Sequence, residues 1–308
     1  MVTQPVWVKA QNSELPVVEA ATLRSHVERL SEELPGRLGV EIVLELTLQW
    51  LEKTVSRYAT PIRESYQSEG ENFHNLILRF GPKTGPLLVI GAHYDTAHGL
   101  PGADDNASGV AGLIELARLL SDAETQGILK RRVELVFYTL EESRFRKQQE
   151  MGSYIHAAAL RKADEDVQLM LSLEMIGYFS DQPNSQLFPI AEMQHLYSDR
   201  GNFIGVISNF SNMPAVRTVK RSFKRSIGDK LPVYSLNGPE LYVPGIGASD
   251  HRSYWALDYP AVMVTDTAYM RNPYYHTARD TADRLDYERM ALVVQATYQL
   301  VMDLNEGA

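Results

Sequence analysis

The chain has 308 residues, 44% hydrophobic and 22% charged, an ordinary globular composition that excludes a disordered, collagen-like or low-complexity protein. Its 39 acidic against 30 basic residues leave a formal charge of -9, so the charge balance offers no reason to expect nucleic acid as a partner. With 0 Cys, disulfide scaffolds, thiolate zinc sites and cysteine nucleophiles are excluded, and any metal must sit on His, Asp or Glu.

In chain order, Val18, Leu23, Val27 and Leu30 fall near one helical face and predict a helix from Val17 to about Leu34, stopped by Pro35 and Gly36. A second helix is expected over Glu41 to Tyr58. The runs NLILRF (75–80) and PLLVIGA (86–92) read as strands, and GPKTG between them as a turn that would make them neighbours in a sheet. Strand and helix then alternate. A helix is expected from about Ala107 to Leu120, a strand through ELVFYTL to Leu140, a helix from about Gly152 to Lys162, and the strand LMLSLEM. Beyond these come a strand from Asn202 to Ser208, a helix near Pro214 to Arg225, the strand PAVMVTD from Pro260, and a last helix from about Tyr287 to Asn305. This alternation predicts an α/β fold with a mixed, mainly parallel sheet flanked by helices on both faces. No linker divides the chain, so residues 1–308 read as a single domain, with a less regular excursion around 179–247 near the active face. No apolar run approaches the ~18 residues of a spanning helix. The opening residues lack a basic segment followed by an apolar core, so the chain as given reads as cytoplasmic, or secreted or periplasmic if a leader has been removed.

Apolar strands end repeatedly in acidic or imidazole side chains. PLLVIGA runs into His93, Tyr94 and Asp95, ELVFYTL into Glu141 and Glu142, and LMLSL into Glu174. In an open parallel sheet the ligand crevice lies beyond the carboxyl ends of the strands, where these groups would converge. Between the first two lies PGADDNASG, whose small residues allow a tight turn and whose Asp104 and Asp105 lead into a helix, with a carboxylate there placed to bridge two cations. YYHTARDT, after the last strand, adds the imidazole of His276. Each piece has a plainer reading: Asp104 or Asp105 as a helix cap, the glutamate pair as a solvated strand end, the histidine as structural. Glu174 resists it, because an unpaired carboxylate between LMLSL and MIGYF is costly unless it is coordinated or hydrogen-bonded. Five oxygen or nitrogen ligands with no sulfur fit a two-metal hydrolytic centre.

GAHYDT, PGADDNASGVA, the Glu141-Glu142 pair, LEMIGY, ASDH and YYHTARDT, in that order, resemble family 28 of the metallopeptidases. That family contains di-zinc bacterial aminopeptidases, and glutaminyl cyclases share its fold. The resemblance runs from about Val17 to the C-terminus and implies the zinc-dependent exopeptidase fold. It further implies two zinc ions, one held by His93, Asp105 and Glu174, the other by Asp105, Glu142 and His276, with Asp105 bridging. Asp95 would orient His93, Glu141 would be the general base, and Tyr275 would donate to the tetrahedral oxyanion unless it is only a packed aromatic. The activity implied is an aminopeptidase acting on peptides with a free N-terminus. The sequence leaves the oligomeric state open.

The chain departs from the pattern of the family it resembles at three points. Glu174 stands where many members have Asp. Ser143 to Met151 intervene between the glutamate pair and Gly152-Ser153, predicting a longer loop at the cleft. The ligand histidine must be chosen between His251 and His276, and the family pattern favours His276, leaving His251 in a supporting role. His98 reads as a cleft-edge residue, and His26, His74, His156 and His195 as structural. Other enzyme readings are a one-zinc glutaminyl cyclase, and a carboxypeptidase or dipeptidase in which Arg144, Arg146 or Lys147 meets the substrate carboxylate. A metal-free binding protein would have lost ligands, and none is missing. HExxH, GxSxG and GxxxxGK are absent from the sequence. In the basic run 216–225, the stripe Val216, Val219, Phe223 and Ile227 points to a helix with one solvated face rather than a nucleic-acid or membrane surface.

Overall fold

The computed structural model of the chain describes residues 3–9, 15–38, 41–97, 99–142 and 148–305. Its strands are β1 (Ile62–Ser68), β2 (Glu71–Phe80), β3 (Leu87–His93), β4 (Arg132–Tyr138), β5 (Val167–Glu174), β6 (Ile204–Ser208), β7 (Val233–Asn237) and β8 (Ala261–Thr265). They form one eight-stranded sheet in the order β1-β2-β4-β3-β5-β8-β6-β7. The β4, β3, β5 and β8 strands run parallel, as do β6 and β7, while β1/β2, β2/β4 and β6/β8 are antiparallel.

The long helices are α1 (Ala20–Glu28), continued by a wider turn over Arg29–Glu33, α2 (Glu41–Val55), α3 (Gly109–Thr125), α4 (Gly152–Lys162), α5 (Met213–Ile227) and α7 (Tyr287–Asn305), with the short α6 (His251–Trp255) before β8. The apolar runs of the central strands follow from burial on both faces. Along β3, Leu88 and Ile90 pack into the core shared with α1, α3, α5 and α7, while Leu87 and Val89 pack into the core under α4 and α6. The stripe Val216, Val219, Phe223 and Ile227 of α5 is fully buried, as its spacing predicts. Among the described residues, no helix is long and apolar enough to cross a membrane.

One expectation needs correction. The strands β2 and β3 are not neighbours, because β4 lies between them. Strands lie about 4.8 Å apart, so the connection over residues 81–86 has only to step about 10 Å. Within the segment 179–247, β6, α5 and β7 follow one another in the chain, and the irregular stretches lie toward its two ends. The β1 strand, the β7 strand and α6 are additional to the elements expected from sequence.

Candidate metal centre

The parallel strands β3, β4 and β5 deliver their carboxyl ends to one edge of the sheet, and the acidic turn before α3 lies beside them. His93 is the last residue of β3 and Glu174 the last of β5. Non-glycine residues with positive φ at this edge include Leu140 (φ 63), just before Glu141; Met175 (φ 50), just after Glu174; and His276 (φ 53). Such left-handed backbone is disfavoured for side chains with a Cβ, and at Leu140 and Met175 it redirects the chain as it leaves β4 and β5. Asp105 lies in the turn Ala103–Ser108, which docks tightly on β5: a Cβ on Gly109 would come within 2.6 Å of the Leu173 carbonyl oxygen.

Two sets of side chains converge at this edge. His93 Nε2 lies 3.4 Å from Asp105 Oδ1 and 3.3 Å from Glu174 Oε2. His276 Nε2 lies 3.0 Å from Asp105 Oδ2 and 3.3 Å from Glu142 Oε2. One atom from each residue of a set lies within 4.8 Å of the others, and Asp105 belongs to both sets through different oxygens. The Nε2 atoms of His93 and His276 and Oε1 of Glu142 are buried without a hydrogen-bond partner among the described residues. Buried polar atoms left unpaired are expensive unless something binds them, and this donor set of imidazole and carboxylate fits divalent zinc.

The ionisable groups at this edge shift one another. Burial favours the neutral imidazole of His93, yet Glu174, Asp105 and Asp95 hold it well above its ordinary value. For His276, Asp105 and Glu142 overcome burial and raise the ring to about 10. Burial pushes Glu142 up to about 7, with Asp105 adding to the rise. In Glu141 burial is again the largest cause, and with the Glu174 and Glu142 carboxylates behind it the side chain sits well above the usual carboxylate range, against the pull of His93. Carboxyl groups and imidazoles buried and crowded in this way hold protons that a bound cation would displace.

Supporting contacts hold the frame. His93 Nδ1 faces the backbone carbonyl of Asp95 at 3.2 Å and its Oδ1 at 3.6 Å. The Asp95 carboxylate also accepts the backbone N–H groups of Glu141 (3.4 Å) and Glu142 (3.0 Å), so it positions the glutamate pair as well as the histidine. Asp280 accepts the N–H groups of Asp104 and Asp105. Ser249 donates to Glu174 Oε2 at 2.7 Å. Asn106 ties the turn to β5, donating to the Leu173 carbonyl and accepting from Met175 N–H. Sequence reasoning assigned no role to Asp280, Ser249 or Asn106, although all three lie within the quoted motifs. Asp104 faces away from the cluster, accepting from Gly177 N–H and Asn272. His251 is buried apart from the cluster, its Nε2 2.7 Å from the Ile246 carbonyl. His156 pairs with Glu134 and Tyr254 inside the core, and His74 meets Ser65. His98, and Arg144, Arg146 and Lys147 of the expected loop, lie outside the described residues.

Two cavities meet at the cluster and share Glu174, Gly245, Ala248 and Tyr275 in their walls. The first is apolar, lined by Phe188, Met193, Ile207, Leu236 and Met263 among others. The second is polar, with Glu141, Met151, Glu240 and Arg252 in its wall. Tyr275 stacks on the His276 ring with centroids 3.8 Å apart, and burial followed by the nearby carboxylates keeps its hydroxyl protonated far above the ordinary tyrosine range.

The model of peptidase family M28 matches residues 75–301. The uncharacterized protein YfbL of Escherichia coli K12 is 44% identical over 289 residues, 84% of this chain and 86% of that protein. Leucine aminopeptidase 1 of Ajellomyces capsulatus (strain G186AR) is 27% identical over 266 residues, which cover 82% of this chain and 62% of that protein. Among solved structures, LapB from Legionella pneumophila superposes with a TM-score of 0.72 at 21% identity, covering 94% of this chain and 72% of the other. A glutaminyl cyclase from Bacteroides thetaiotaomicron bound to N-acetylhistamine gives 0.68 at 16% identity, covering 94% and 99%. These two structures share the fold of the chain.

Proposed function

This chain belongs to peptidase family M28, and we propose that within it the protein is a zinc-dependent aminopeptidase. The observation that carries the proposal is the two-sided placement of Asp105, with one carboxylate oxygen against His93 and Glu174 and the other against His276 and Glu142. A single-metal site needs no shared carboxylate of this kind. His93, Asp105 and Glu174 would hold one zinc ion, and Asp105, Glu142 and His276 the other. Zinc at such a site supplies polarisation of the scissile carbonyl and a lowered pKa for water.

The protein's own groups divide the remaining work. Glu141 lines the polar cavity beside the ligands and outside both sets, placing its carboxylate to take a proton from water and return it to the leaving amine. Tyr275, protonated and common to both cavities, is placed to donate to the developing oxyanion. The apolar cavity receives the side chain of the N-terminal residue, in keeping with the name of the fungal relative, and the polar cavity receives the rest of the peptide. The free α-amine is matched by the carboxylates around the junction.

The deciding assay offers the zinc-loaded protein leucyl peptides with free and acetylated N-termini, together with a peptide beginning in glutamine. Hydrolysis confined to the free peptides, with two zinc ions per chain by elemental analysis, is the expected result. Equal turnover of acetylated peptides overturns the aminopeptidase reading. A single tight zinc with cyclisation of the glutamine replaces it with a cyclase.

A further inference from the structure

Arg252 is the one guanidinium or ammonium group among the described residues lining the polar cavity, whose other charged groups are Asp105, Glu141, Glu142, Glu174 and Glu240. Its backbone is fixed to the metal centre. Arg252 N–H donates to the carbonyl of Ser249 at 3.1 Å, and the Ser249 hydroxyl donates to Glu174 at 2.7 Å. On the other side Gln148 donates to the Arg252 carbonyl at 3.0 Å. Its side chain is much less committed. The only ion-pair partner among the described residues is Glu240, with Nε to Oε1 at 3.7 Å, too long for a hydrogen bond, and the two side chains are 40% and 51% exposed. Pairs of that kind contribute little to stability, whereas a guanidinium fork with free donors matches a carboxylate in two-point geometry.

The two cavities give the substrate a direction. With the N-terminal side chain in the apolar cavity and the scissile bond at the shared wall of Glu174 and Tyr275, the leaving part of the peptide enters the cavity that Arg252 and Glu240 help to line. A long peptide passes this point with a neutral amide. In a dipeptide or tripeptide the C-terminal carboxylate comes to rest in this cavity, since each extended residue reaches only about 3.5 Å. Among so many acidic side chains an anionic end needs a cation opposite it. Resting on the aminopeptidase reading, we infer that Arg252 binds the C-terminal carboxylate of short peptides and makes di- and tripeptides with a free carboxylate the favoured substrates. Glu240 competes with that carboxylate for the guanidinium.

The test compares kcat/KM of the zinc-loaded enzyme for leucyl-alanine, leucyl-alanyl-alanine and a leucyl hexapeptide, each as free acid and as C-terminal amide. The acid should exceed the amide by about ten- to hundredfold for the short peptides, the range of a charge-assisted hydrogen bond, and by little for the hexapeptide. In Arg252→Gln the acid-to-amide ratio of the short peptides should fall to near one, Arg252→Lys should keep part of it, and Glu240→Gln should raise it. Calorimetric binding of a leucyl-alanine analogue with a reduced CH2–NH bond, as acid and as amide, reads the same ratio without turnover. A ratio near one in the unsubstituted enzyme, or a ratio untouched in Arg252→Gln, overturns the inference. If no leucyl compound is hydrolysed, the aminopeptidase reading falls, and the calorimetric ratio alone decides the role of Arg252.

Discussion

Asp280 accepts the backbone N–H of Asp105 at 3.1 Å and that of Asp104 at 3.0 and 3.2 Å through its two oxygens. The YYHTARDT segment therefore does more than present His276: four residues further on it also clamps the turn that presents the shared carboxylate. The Asp280→Asn substitution keeps one acceptor oxygen, removes the carboxylate charge opposite the turn and puts an NH2 against at least the Asp104 N–H. Zinc affinity should fall by about ten- to hundredfold, as when a partner that orients a ligand is lost, and stability by on the order of 1–3 kcal/mol. Competition for zinc with a chromogenic chelator checks this, and an unaltered affinity would remove Asp280 from the account.

The two candidate histidines should separate cleanly. His276 Nε2 lies within 3.3 Å of both Asp105 and Glu142, whereas His251 touches the Ile246 carbonyl and the Trp255 ring. Replacing His276 with Ala should remove one metal per chain and most of the activity. The same change at His251 should leave both metals bound, with at most about a hundredfold effect passed on through packing. Equal loss of one metal in both variants, read by elemental analysis, would sink the ligand assignment.

The same burial makes His251 a source of acid sensitivity. Its pKa is pushed down to about 4, chiefly by burial, from an ordinary value near 6.5. Between those values the unfolded chain binds the proton and the folded chain does not, so stability is present above about pH 6.5 and is lost as pH falls toward 4. At pH 5 this amounts to about 2 kcal/mol relative to neutral pH. Urea unfolding of the zinc-free protein at pH 7.5 and pH 5 should show a smaller loss in His251→Gln, which keeps a donor for the Ile246 carbonyl but cannot take up a proton. Equal losses in the two proteins would place the acid sensitivity elsewhere, for example at His26, which burial also lowers to about 4.

What could be read from the sequence tracks the range over which each signal acts. The apolar runs of β3 and β5 and the acidic or imidazole residues that end them are local, and the structure places His93 and Glu174 where those runs stop. The pairing of β2 with β4 is not local: the short connection after Phe80 serves a hairpin or a step over one strand equally well. The β1 strand was hidden because IRESYQS is mostly exposed and polar, as suits a strand at the edge of a sheet. The clamp of Asp280 on Asp105 joins residues 175 apart, and no spacing rule foretells such a contact. Arg252 escaped notice for a related reason: its meaning depends on a cavity whose walls come from separate segments of the chain.

The neighbours Glu141 and Glu142 should fail in different ways. The Glu142 carboxylate lies 3.3 Å from His276 within a ligand set, whereas Glu141 lines the cavity outside both sets. Gln is close to isosteric with Glu, and the Glu141 backbone N–H still reaches Asp95 in the variant, so Glu141→Gln should keep the fold and both metals while losing the ability to accept and return a proton. General acid-base catalysis is worth about 100- to 10,000-fold, and turnover should drop within that range. Glu142→Gln removes an anionic ligand and should weaken metal binding as well as turnover. Metal content and single-turnover rate measured on both variants test this division of labour. A Glu141→Gln enzyme with a near-normal single-turnover rate would overturn the proton-transfer role, and one that loses a metal would move Glu141 into the ligand set.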